Sequence, residues 1–206
     1  MPVDWNVVDA ALRQSREGSN LKALAELSRL LELADCDADR ATIRLAEASC
    51  YSQLGDVNKS LELVTLAKQL AHDNRAVSSQ AELSEANLYA QSDDYDRACE
   101  LFASLKSKYH DLLSVNKDFA VEVDSRFACA LVEAKRYKEA VPIFRTLLAS
   151  DELEDRQRLQ VFFGFALFRT GHKPEAQSIL FAATKGKDVA SAQIASNYLA
   201  ELETAQ

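Results

Sequence analysis

Apolar residues recur along this chain at intervals of three and four. Between Ser60 and Leu70 they fall at Leu61, Leu63, Val64, Leu66, Ala67 and Leu70. That stripe has helical spacing and is broad enough to be buried on two sides by neighbours. The same pattern returns from one end of the chain to the other, and it predicts helices throughout.

The helices come in pairs, and the pairs repeat. The stretches AEASCYSQLGDVNKSLELVTLA, SEANLYAQSDDYDRACELFASL, FACALVEAKRYKEAVPIFRTLL and FGFALFRTGHKPEAQSILFAA share one order of features. Each has an early small residue, a central turn, a second small residue, and then an apolar stripe. The early small residues are Ala48, Ala86, Ala128 and Gly164, and the later ones Ser60, Ala98, Ala140 and Ala176. Four residues on come Val64, Phe102, Phe144 and Leu180. A weaker first copy places Ala11, Ala23 and Leu27 likewise. The early small residues lie 37, 38, 42 and 36 residues apart, a period that means stacked helix-turn-helix units. Small residues on both helices of a pair let the axes come close.

Punctuation agrees. Gly18, Gly55, Gly171 and Gly186 fall where helices should end, each supplying a left-handed cap. Pro174 stands in the first turn of its helix, where a missing N–H costs little. The segment DVASAQIASNYLAELETAQ reads as a lone capping helix, with Ala192, Ala195, Tyr198, Leu199 and Leu202 on one side. That makes about eleven helices. The stretches 35–40 and 151–156 read as punctuation between them, the aspartates of the first capping the helix that follows.

These features resemble the tetratricopeptide repeat (TPR) superfamily, in about five degenerate copies. The matching residues are the paired small positions, Tyr51, Tyr89, Leu131 and Leu167 in the first helices, glycine at the turn in three copies, and Tyr95 and Tyr137 just after it. Ala67, Leu105, Leu147 and Ala183 follow in the second helices. The superfamily's early tryptophan and late proline are absent. The resemblance implies one all-α domain over 1–206, a right-handed α-solenoid. The repeats would fall at about 4–36, 41–74, 79–112, 121–152 and 157–186, with the cap at about 188–204.

Composition narrows the class. Gly (5) and Pro (3) are scarce among 206 residues, as suits helix rather than turn-rich sheet. The net charge of −8 argues against general nucleic-acid binding. No apolar run approaches the roughly 20 residues that span a bilayer, and MPVDWNVVDAALRQ has no signal-peptide pattern. Cys36, Cys50, Cys99 and Cys129 lack ligand or disulfide spacing and read as reduced thiols of a cytoplasmic protein.

Chemistry is sparse. Asp35, Asp37 and Asp39 start like a calcium loop, but the pattern then needs glycine and glutamate where the chain has Arg40 and Ala46. His72, His110 and His172 lie about a repeat or more apart with no ligand partners at suitable spacing. No nucleophile, phosphate-loop or zinc-protease motif occurs. The expectation is no enzyme, no cofactor and no metal.

The superfamily binds partners on the face lined by its first helices. Carried onto this chain, that concave groove includes Leu83, Asn87, Arg126, Cys129, Arg158, Phe162, Phe165, Phe168 and Arg169. Asparagine pairs with amides and arginine forks onto carboxylates, while the phenylalanines offer an apolar anchor. Some members clamp a C-terminal carboxylate with a lysine and asparagine set. Asn87 matches one such position, but Arg126 replaces an asparagine and Phe162 the final basic residue, so that clamp is not expected here. The reading is a protein-interaction module holding a peptide or helix of a partner. The alternatives are a client chaperone or regulatory subunit, such as a secretion-type chaperone, and a self-assembling structural protein. The phenylalanines are open as an anchor only where the capping helix leaves them uncovered.

Overall fold

The computed structural model describes residues 3–149, 153 and 155–204. Among them every regular element is an α-helix. The contacts divide the chain into two compact units, the first ending at Leu112 and the second beginning at Leu113.

The first unit holds α1 (Trp5–Arg16), α2 (Asn20–Leu33), α3 (Asp37–Gln53), α4 (Val57–Leu70), α5 (Arg75–Gln91) and α6 (Tyr95–Lys108). They form three antiparallel hairpins, α1/α2, α3/α4 and α5/α6. The first helices also touch one another, α1 against α3 and α3 against α5. A short α7 (His110–Val115) crosses the boundary between the units.

The second unit holds α8 (Lys117–Glu133), α9 (Tyr137–Leu148), α10 (Arg156–Arg169), α11 (Lys173–Ala183) and α12 (Val189–Thr204). Two hairpins, α8/α9 and α10/α11, are followed by the single helix α12. The twelve described helices exceed the expected eleven because of α7. Its insertion also explains the long 42-residue spacing before the fourth repeat.

The small positions do what their size suggests. Ala11, Ala48, Ala86, Ala128 and Gly164 are buried, as are Ala23, Ser60, Ala98, Ala140 and Ala176. The large residues four positions on, Leu27, Val64, Phe102, Phe144 and Leu180, are almost wholly enclosed. Gly164 is the tightest case: a Cβ there would lie 2.5 Å from Leu180 Cγ. Ser60 meets its burial by donating to the Ala48 carbonyl at 2.8 Å, so a buried hydroxyl costs little.

The turn between the helices of each pair needs one residue in the left-handed region. Gly18, Gly55 and Gly171 supply it with φ of 86°, 81° and 86°. In the other two repeats Asp93 (φ 62°) and Lys135 (φ 60°) adopt it without being glycine.

Two expectations about caps are corrected. Gly186 has no positive φ. A Cβ there would meet the amide end of the Gln157 side chain, 2.0 Å away, and that side chain would have to move. Gln157 donates to the carbonyls of Ala183 and Asp188 and accepts from the Asp188 N–H. One side chain of α10 thereby ties down the α11–α12 turn. The residue capping α3 is Cys36 rather than an aspartate: its Sγ accepts from the Asp39 N–H at 3.4 Å. Asp37 and Asp39 sit in the first turn of α3, near the positive end of its dipole. Residues 151, 152 and 154 of the 151–156 stretch lie outside the described residues.

Candidate functional site

Leu83 and Asn87 belong to α5 in the first unit. Leu83 is buried in that unit's packing and Asn87 is half-buried. The other seven expected residues lie in the second unit, on α8 and α10.

Local helical geometry places them. Along α10, Arg158, Phe162, Phe165 and Arg169 fall at i, i+4, i+7 and i+11, which is one stripe. Along α8, Arg126, Cys129 and Glu133 fall at i, i+3 and i+7. α10 packs against α8 on one side and α12 on the other, so the three helices form one layer. Phe163, Gly164 and Leu167 occupy the opposite side of α10 and are buried; Phe163 meets Phe144 of α9 at 5.8 Å between ring centroids.

Phe165 is a packing joint between three helices. Its ring meets Tyr137 edge-on at 5.7 Å and stacks on Tyr198 of α12 at 4.7 Å, with planes 26° apart. The Arg169 guanidinium lies over both Tyr137 and Phe165, at 5.5 and 5.8 Å. Such cation–ring contacts are worth about 0.5–1 kcal/mol at exposed sites. The capping helix thus covers Phe165. Phe162 and Phe168 are half-buried on the same helix.

Electrostatics follow from this packing. Cys129 is half-buried as a residue. Enclosure pushes its thiol up to about 11 from 9.0, partly opposed by the positive charges of Arg158 and Arg126. That thiol is neutral at physiological pH and a poor nucleophile. The Tyr198 hydroxyl is also raised, first by burial and then by Glu133 and Glu201.

The arginines of this face differ from those elsewhere in the unit. Arg136 reaches Glu139 at 2.7 Å, and Arg145 reaches Glu175 at 2.6 Å across two helices. By contrast, among the described residues Arg126 and Arg169 have no carboxylate within ion-pair distance. Arg158 has only Asp155 at 3.8 Å, and its Nε is buried with no acceptor.

Tyr137 and Tyr198 were legible as repeat and cap residues, but their contacts with Phe165, one edge-on and one stacked, were not. Helical spacing orders residues within an element and is silent on which ring of the next element will meet them. No group of three or more His, Cys, Asp or Glu suited to a metal ion occurs among the described residues, and no described helix is long and apolar enough to cross a membrane.

Solved structures share this architecture. The nearly identical TPR-like repeats of a kinesin light chain-like protein from Podosopora anserina align with a TM-score of 0.69 at 17% identity, over 86% of this chain and 92% of that one. MamA of AMB-1 aligns with a TM-score of 0.61 at 22% identity, over 87% and 96%. TTC0263, a thermophilic TPR protein of Thermus thermophilus, gives 0.62 at 20% identity, over 95% and 98%. No family model and no curated protein matches the sequence. These likenesses show the fold: an all-α, TPR-like solenoid of helical hairpins.

Proposed function

We propose, from the premise of a TPR-like fold, that this protein is a non-enzymatic interaction module. It binds a peptide or helical segment of a partner protein on the face lined by its first helices. The observation that carries this reading is the α8–α10 surface. It carries Arg126 and Arg169 without a close carboxylate among the described residues, Arg158 with only Asp155 at 3.8 Å, and the half-buried rings of Phe162 and Phe168 on α10. Charged forks beside an apolar ledge are what a peptide needs for orientation and anchoring. Phe165 lies on the same stripe, where Tyr198 of α12 covers it. The four free thiols, two of them buried, suit a reducing compartment such as the cytoplasm.

The test is capture of a partner by the tagged full-length protein from its own host, identified by mass spectrometry. Replacing Phe162 by alanine together with Arg126 by glutamate should abolish that capture while helix content and melting temperature stay close to wild type. Undiminished capture by a folded double variant would reject this face as the binding site.

A further inference from the structure

We infer that the segment held on the α8–α10 face is acidic, with side-chain carboxylates against Arg126 and Arg158 and an apolar side chain against Phe162. This rests on the reading of that face as a peptide-binding surface and names the chemistry of its partner.

The chain carries 32 Asp and Glu against 24 Lys and Arg, so an arginine can readily find a carboxylate of its own. In the second unit Arg136 and Arg145 do so at 2.7 and 2.6 Å. Arg126 has Glu122 one turn before it and Glu133 two turns after it on the same helix, yet pairs with neither. Arg158 is the sharper case. Its contact to Asp155, at 3.8 Å, is too long for a hydrogen bond, and its Nε is buried with no acceptor. A buried guanidinium N–H without a partner is disfavoured, and a carboxylate oxygen is the acceptor that best satisfies it. The Cys129 thiol of α8 feels the charges of Arg158 and Arg126, and also those of Glu133 and Asp155. Arg169 is engaged differently, lying over Tyr137 and Phe165. A basic partner segment would offer the Arg158 Nε no acceptor, and a purely apolar one would leave it unsatisfied.

A random peptide library displayed on phage and selected against the immobilised full-length protein tests this. The expected result is enrichment of sequences with Asp or Glu beside an aromatic or aliphatic residue. Selection on the Arg126→Glu/Arg158→Glu variant should then shift toward Lys and Arg. For a selected acidic peptide, fluorescence anisotropy should show Kd weakened on the order of tenfold by Arg126→Gln or Arg158→Gln alone. These milder variants carry the test should the double charge reversal not fold. Enrichment without carboxylates, or binding unchanged in the glutamine variants, overturns the acidic assignment and leaves peptide binding standing. No enrichment over a carrier-protein control overturns both.

Discussion

Gly164 shows how narrow the tolerance of a repeat is. Four repeats place alanine at its position, but here Leu180 of α11 fills the space a methyl group would need. Gly164→Ala should therefore destabilise the protein by about 1–3 kcal/mol, although alanine is the better helix former. Chemical denaturation measures this, and a second change of Leu180 to Val should recover part of the loss. Lys135 presents the reverse situation. It holds φ of 60° at a turn where three other repeats use glycine. Lys135→Gly should stabilise by about 0.5–1 kcal/mol, read as a higher melting temperature. Cys129 makes stability depend on alkaline pH. Its folded thiol titrates at about 11 against 9.0 when unshifted. The stabilisation is complete below pH 9, and it is lost as the pH rises from 9 toward 11 because the unfolded chain ionises first. Over that range Cys129→Ala should lose stability less steeply than wild type in denaturation curves.

The helices were readable from repeat spacing because a 3.6-residue period and a small-residue pair are local features. Their capping details were not. Gly186 looked like a left-handed helix end, yet its φ is not positive and the side chain of Gln157, 29 residues earlier in the chain, packs beside it. That contact governs how α12 is held. Gln157→Ala removes three hydrogen bonds around the α11–α12 turn. It should cost about 1–2 kcal/mol and make the amides of α12 exchange faster, as measured by hydrogen–deuterium exchange. If α12 keeps its wild-type protection, the turn is held by Asp188 alone. The Asp188 carboxylate, lowered by its hydrogen bond from Ser191, caps that same helix. α7 was missed for a related reason: six residues carry too little periodicity to be separated from a loop.

Within each unit, hairpins are held by their neighbours, so damage should stay near its source. Gly164→Ala should raise amide exchange in α9 to α12 and leave α1 to α4 near wild-type protection. Uniform loss across all helices would contradict that nearest-neighbour picture. The order of small and large residues along the chain was enough to determine the all-α class, the paired helices, their period and the buried positions. Each of these follows from spacing within a single helix or across one turn. That Arg126, Arg158, Phe162, Phe165 and Phe168 face the groove is what the resemblance implies, not something the spacing determines. Three features needed the assembled structure. Tyr198 lies on Phe165, Gln157 takes the space beside Gly186, and Arg158 Nε is enclosed without an acceptor. These are contacts between separate helices, fixed by how side chains of particular shape interlock, and no local period encodes them.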